Sequence, residues 1–163
     1  MEGLKKFTEN LNDIFMLFGG ISLILMMAIA CANMVLRLAG EPISASYELF
    51  GFLGALTVSL PLGYTQLKKT HIAVDIVSQM FPVRVRRFVV GLSFILGILF
   101  FFVAAWMVGA HAQTLRLSGE LSETLRIAYY PFTYAVAAAC GLMTFTLVVD
   151  FLVLLVSPKE DGI

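Results

Sequence analysis

The chain has 163 residues, 60% of them hydrophobic and 13% charged, with no net charge at pH 7 and a mean hydropathy of +0.92. Soluble domains carry roughly 25% charged residues, so this composition excludes an ordinary soluble domain and predicts an integral membrane protein. Four apolar segments can be laid out, Ile14 to Leu36, Tyr47 to Leu67, Phe88 to Ala110 and Pro131 to Val156. Each is near or above the roughly 20 residues a helix needs to cross the hydrocarbon. The expectation is a single all-α membrane domain over residues 1–163, with four transmembrane helices and short amphipathic helices at the interface.

Residues 1–13 carry Lys5, Lys6, Glu9 and Asp13 around Phe7 and Leu11, which reads as a short amphipathic helical lead resting at the membrane surface. The first segment has a basic flank and an Ala30-Cys31-Ala32 run resembling a signal-cleavage site. Its apolar stretch, however, outlasts a signal sequence of 7 to 15 apolar residues, so it reads as a retained span. Asn33 lies inside it, where an amide needs an interhelical partner. Gly40 and Pro42 break the chain in the following loop, between Arg37 and the next span.

The second segment has the strongest pattern. At 100° per residue Glu48, Gly51, Ala55, Ser59, Gly63 and Gln66 fall within about 120° of one another, with Leu49, Leu53, Leu56, Leu60 and Tyr64 opposite. Small residues at four-residue spacing let helices approach closely in lipid. That face therefore packs on protein, either within this chain, as such patterns more often do, or against a second, larger membrane subunit. Ser46 reads as the N-cap and Glu48 sits in the first turn, where the helix dipole favours an anion. Pro61 marks a kink.

Residues 70–81, from Thr70 to Phe81, place Ile72, Ala73, Ile76, Val77, Met80 and Phe81 on one side of a helix and His71, Asp75, Ser78 and Gln79 on the other. This is too short to span and reads as an interfacial helix, followed by Arg84, Arg86 and Arg87 at lipid headgroups. The third segment is rich in Phe and Trp, has no ionisable residue between Phe88 and Ala110, and reads as largely lipid-facing. His111 lies just beyond it. The loop from His111 to Pro131 has room for another amphipathic piece with Leu115, Leu117, Leu121 and Leu125 on its apolar side, before an aromatic belt of Tyr129, Tyr130 and Tyr134. In the last span, Ala135 with Ala139 and Ala137 with Gly141 give close-packing spacings. Asp150, near its far end, reads as an interhelical contact or a hydrated interfacial acid, with a proton or sodium pathway as the alternative.

Orientation follows from the basic residues. Lys5, Lys6, Lys68, Lys69, Arg84, Arg86, Arg87 and Lys159 fall on one side of the four-span arrangement, and Arg37, Arg116 and Arg126 on the other. Eight against three places both termini and the middle loop in the cytoplasm. Cys31 and Cys140 lie inside separate spans and read as buried small apolar residues, not a redox pair. The sequence shows no metal-ligand cluster, phosphate loop or nucleophile motif, so no catalytic, cofactor or metal site is expected.

These features, in order, resemble the small membrane subunit of tripartite ATP-independent periplasmic (TRAP) transporters. The resemblance is carried by the four-span plan, Arg37 followed by Tyr47-Glu48-Leu49, His71-Ile72-Ala73-Val74-Asp75, Pro82 followed by Val83-Arg84-Val85-Arg86-Arg87, and the aromatic-proline start of the last span. The sequence departs from the family in having Tyr47 where tryptophan is common, and Lys68-Lys69-Thr70 where a basic-x-glycine approach is usual. The resemblance implies a bacterial inner-membrane scaffold that joins a large transport subunit. It also implies that the chain helps dock a periplasmic substrate-binding protein for sodium-coupled uptake of an organic acid. Glu48 and its small face would then meet the large subunit, and His71 and Asp75 would shape the interfacial helix. Membrane lipids are the remaining expected partner, and no nucleic acid is implied. A self-dimerising small exporter and a membrane assembly factor are the competing readings; the exporter would place its essential acid in the first span.

Overall fold

A computed structural model describes residues 2–41, 43–68 and 83–156. The sequence folds into five helices within them: α1 (Glu2–Leu38), α2 (Ser46–Ser59), α3 (Leu62–Leu67), α4 (Val83–Ser118) and α5 (Tyr130–Val156). Among the described residues three stretches are long and apolar enough to cross a bilayer, Lys6–Leu38, Val89–Ser118 and Tyr130–Val153. The predicted second span departs from expectation, because residues 47–67 form two helices instead of one. Pro61 has no N–H, so the Thr57 carbonyl loses its helical donor and the helix is interrupted there. The backbone nevertheless stays right-handed, with φ −63° and ψ −40° at Leu60 and φ −75° and ψ −6° at Pro61. Bonds from Leu60 N to Leu56 O and from Thr65 N to Pro61 O, both 3.0 Å, carry the chain through a bend without reversing it.

The amino-terminal lead is also not a separate element. Nothing between Glu2 and Leu38 breaks a helix, so the lead and first span form one helix, in which Thr8 and Asn12 are wholly buried while Lys6, Phe7, Glu9, Asn10 and Asp13 are exposed. Gly40 ends α1. At φ +86° it allows Gly40 N to reach Arg37 O (3.2 Å) and Glu41 N to reach Leu36 O (3.0 Å), the paired bonds of a Schellman cap.

Helix α5 is the centre of the bundle. It packs against α2, α3, α4 and α1, while α1 packs along α2 and α3. Its small and medium residues are the ones removed from solvent, Ala139, Cys140, Met143, Leu147 and Val149 among them. Ala137 lies opposite Gly109 of α4, and Leu147 opposite Gly97, so glycines on α4 let the two antiparallel helices close up. The rest of α4 is exposed along its apolar core, including Leu96, Leu99, Phe100, Phe102, Trp106 and Met107, as its uninterrupted aromatic run predicts.

The α2–α3 stretch runs beside α5 in the same direction. Phe52 stacks on Phe132 at one end, with ring centroids 4.3 Å apart, and Gln66 Nε2 donates to Asp150 Oδ2 at 3.3 Å near the other. Helix α1 runs antiparallel to both, with Asn33 beside Ser46 and Asn12 beside Thr146. The bundle therefore has a Glu48 end and an Asn12 end, each with side-chain hydrogen bonds, separated by an apolar middle.

Candidate functional site

The small, polar face of residues 48–66 divides along its length. Toward the Asn12 end it is consumed by the chain's own packing: Ser59, Gly63 and Gln66 are all buried. A Cβ at Gly63 would overlap Asn12 Oδ1, so Asn12 occupies the space that glycine leaves. Asn12 Nδ2 in turn donates to Thr8 O at 2.8 Å and to Thr146 Oγ1 at 3.1 Å, and Thr146 Oγ1 donates to Leu142 O at 2.9 Å. One turn of α1 is thereby tied to α5 across α3. Further along, the ring of Pro61 sits against Gly19, whose added Cβ would come within 2.8 Å of Pro61 Cγ. The kink thus packs against a glycine of α1.

At the other end the same face is open. Gly51 and Ala55 are exposed, and no side chain lies within 4 Å of where a Cβ on Gly51 would project. Glu48 is half-buried, and its two carboxylate oxygens accept separate backbone bonds, from Thr124 N at 2.7 Å and Leu125 N at 3.0 Å. Charge-assisted bonds of this kind are stronger than neutral ones. Glu48 thus fixes the loop between α4 and α5 to the first turn of α2. Ser46, the expected cap, is instead the first helical residue. Its buried hydroxyl accepts from Asn33 Nδ2 (3.2 Å), while Asn33 Oδ1 accepts from Ile43 N (2.8 Å). Asn33 therefore makes the interhelical bond expected of it and also orders the preceding loop.

The loop itself is compact and contains no further amphipathic helix. His111 to Ser118 simply extends α4, which Gly119 ends at φ +65°. Beyond it Ser122 N donates to Ile127 O (2.9 Å), Ile127 N donates to Ser122 Oγ (3.2 Å), and Leu121 pairs with Ala128 in an antiparallel bridge. Short-range polar bonds have taken the backbone groups that a helix would have used. The four leucines accordingly share no face: Leu115 is buried, whereas Leu117, Leu121 and Leu125 are exposed.

Between α2 and α4, with α5 as its floor, lies an open cleft of about 450 Å³. Gly51, Ala55 and Val108 form its walls, and Phe52, Phe132 and Val136 its floor. Tyr47, Glu48 and Tyr129 stand at one end, where Glu48 is the charged residue of the lining. Phe52 is held in place by both Phe132 and Tyr129, whose ring centroid is 5.2 Å away.

The other residues singled out in the sequence fall elsewhere. His71, Asp75 and the expected interfacial helix over 70–81 lie outside the described residues, and Arg84, Arg86 and Arg87 fall on the first turns of α4. Asp150 is an interhelical acceptor for Gln66. Cys140 is buried as expected, but Cys31 is exposed on the outside of α1. Among the described residues no group of three or more His, Cys, Asp or Glu side chains is placed to hold a metal ion. Sequence reasoning missed Asn12 and Thr8 because they lie in a charged stretch that resembles a surface helix. The available signal was that Thr8, Asn12 and Phe15 share a helical face with the first span.

No curated protein and no solved structure matches the chain significantly. The family model described as tripartite ATP-independent periplasmic transporters, DctQ component, matches residues 26–156. That range contains the Asn33 and Glu48 anchors, the cleft, and all of α2 through α5. The chain belongs to the DctQ-component family of TRAP transporters, as a multi-pass membrane component of such a system.

Proposed function

We propose that this protein is the small scaffold subunit of a TRAP transporter in a bacterial inner membrane. It pairs with the large transport subunit and helps dock a periplasmic substrate-binding protein during sodium-coupled uptake of an organic acid. The observation that carries this reading is the family match over residues 26–156. The structural arrangement fits it: polar side chains of the described helices, Asn12, Asn33, Glu48 and Gln66 among them, are engaged in ties within the chain, as a scaffold requires. The family resemblance supplies the direction of transport and the nature of the coupling ion.

In this reading the chain crosses the membrane four times, with both termini cytoplasmic. The α2–α3 stretch accompanies α5 from Phe52 to Gln66, and from Ser46 to Leu67 it covers roughly 33 Å at 1.5 Å per residue, against a hydrocarbon thickness of roughly 30 Å. The excess of Lys and Arg on one side supports the orientation. The exposed edge at Gly51 and Ala55 is where a helix of the large subunit rests, because small residues permit close backbone approach. The loop held by Glu48 is then presented on the periplasmic side, available to the binding protein.

Gentle detergent extraction of the tagged chain from its native membranes, followed by mass spectrometry, tests this. A much larger polytopic protein is expected in fixed stoichiometry, and Gly51→Leu and Ala55→Leu are expected to reduce its recovery. Recovery of the chain as a cation-binding homodimer without that partner would refute the scaffold reading and favour a small exporter.

A further inference from the structure

The apolar runs of the spanning stretches are staggered once the helices are packed together. Leu99 is the middle of the run from Phe88 to Ala110 on α4. It lies just beyond Gly97, which meets Leu147 of α5, so it stands level with Thr146. Thr146 in turn bonds Asn12 of α1. The apolar middle of α4 is therefore level with the charged start of α1. The middle of the run from Ile14 to Leu36 on α1 is Leu25, 13 residues farther toward the Glu48 end, or about 20 Å at 1.5 Å per residue. The helices between them have intermediate offsets. The run from Pro131 to Val156 on α5 has its middle at Met143 and Thr144. The run from Tyr47 to Leu67 has its middle at Thr57, which the Phe52–Phe132 and Gln66–Asp150 contacts set beside residues 137–141 of α5. The order of the offsets is the order of packing, since α4 lies on α5, α5 on α2 and α3, and those two on α1.

An upright bundle puts some of these surfaces in the wrong medium. Glu9, Asn10 and Asp13 are exposed on α1 at the level of the exposed Leu96 and Leu99 of α4. Toward the other end Gly109 faces Ala137, which sets the exposed His111 of α4 level with the exposed Leu23 and Ile24 of α1. Charged groups in lipid are costly, and apolar groups left in water forfeit their burial. The mismatch has one sense at the Asn12 end and the opposite sense at the Glu48 end, so a single rotation removes both. A 23-residue run is about 35 Å long and fits a hydrocarbon layer of about 30 Å when inclined by roughly 30°. An offset of about 20 Å across two helix spacings of about 8–10 Å corresponds to roughly 45°.

We infer that the bundle crosses the bilayer inclined by roughly 30–45°, and that its lipid-contacting surface is an oblique belt running from Ile14–Leu36 on α1 to Val89–Ala110 on α4. The occupant of this belt is bilayer hydrocarbon. The start of α1, through Asp13, then emerges from one face of the membrane. The end of α4 from His111 to Ser118, with the loop held by Glu48, emerges from the other. The inclination rests on the four-span reading but on no second subunit.

The test is spin-label depth measurement on the full-length chain in phosphatidylcholine vesicles. In a Cys31→Ala, Cys140→Ala background one cysteine is introduced as Asp13→Cys, Leu99→Cys, Ile24→Cys or His111→Cys. All four positions are exposed, so the label does not enter the packed interior; Glu9→Cys and Leu96→Cys replace the first two if either does not insert. Power saturation compares collisions with oxygen, enriched in hydrocarbon, and with a water-soluble nickel chelate. Labels at positions 99 and 24 are expected to be oxygen-dominated and those at 13 and 111 nickel-dominated, a reversal within each pair that shares a level. The same medium for both members of each pair would overturn the inclination and leave an upright bundle. Nickel-dominated collisions at all four positions would refute the four-span reading, and the inclination with it.

Discussion

Gly63→Ala is expected to destabilise the bundle although alanine favours helix. The new methyl group would occupy the position of Asn12 Oδ1, and Asn12 is wholly buried, with α1, α3 and α5 around it. Forcing extra volume into such a site costs about 1–3 kcal/mol. Displacing Asn12 also loses its bond to Thr146, and interhelical bonds in membrane proteins average about 0.6 kcal/mol. Against this, replacing a helix-interior glycine by alanine gains roughly 0.5–1 kcal/mol. The net expectation is a loss of about 0.6–3 kcal/mol, read by thermal unfolding of the detergent-solubilised chain followed by circular dichroism. The decisive comparison is the double variant Asn12→Ala with Gly63→Ala. It removes the clash and leaves Thr146 Oγ1 donating to Leu142 O, so it is expected within about 0.5 kcal/mol of wild type, a coupling of 1 kcal/mol or more between contacting residues. A Gly63→Ala protein as stable as wild type, or a double variant less stable than Gly63→Ala, would refute the packing argument.

The same logic separates two adjacent glycines of α1. Gly19→Ala meets the stiff ring of Pro61 and is expected to lower stability by about 1–3 kcal/mol, while Gly20→Ala points into open space and is expected to be neutral or stabilising by up to about 1 kcal/mol; thermal unfolding distinguishes them. Glu48→Ala removes both carboxylate acceptors, so hydrogen exchange at the Thr124 and Leu125 amides is expected to accelerate, whereas Ser122 N, bonded to Ile127 O within the loop, is expected to change less. Asn33→Ala leaves Ile43 N without its acceptor and Ser46 Oγ without its donor. It is expected to cost about 1–2 kcal/mol and to increase proteolysis of residues 39–45; unchanged cleavage there would count against Asn33 as the anchor of that loop.

The α-helical membrane character, the exposed apolar third segment and the family resemblance were all legible in the amino-acid sequence. These properties depend on composition, on apolar run length and on motifs local in the chain. The small face at Glu48, Gly51, Ala55, Ser59, Gly63 and Gln66 was legible as a face, since it follows from helical periodicity alone. Which part of that face is occupied was decided only by tertiary structure. Gly63 and Gln66 meet Asn12 and Asp150, residues 51 and 84 positions away in the chain, and periodicity carries no information about contacts at that separation. Likewise Glu48 was recognisable as an acid at a helix start, but its partners Thr124 and Leu125 are backbone donors, which every residue except proline possesses and which therefore leave no mark in sequence. Pro61 announced a bend; the glycine of α1 that receives its ring could be identified only when the helices were brought side by side. Local chemistry thus determined the elements, and the relative placement of α1, α2, α3 and α5 determined which polar groups lock the bundle and which are left facing the cleft.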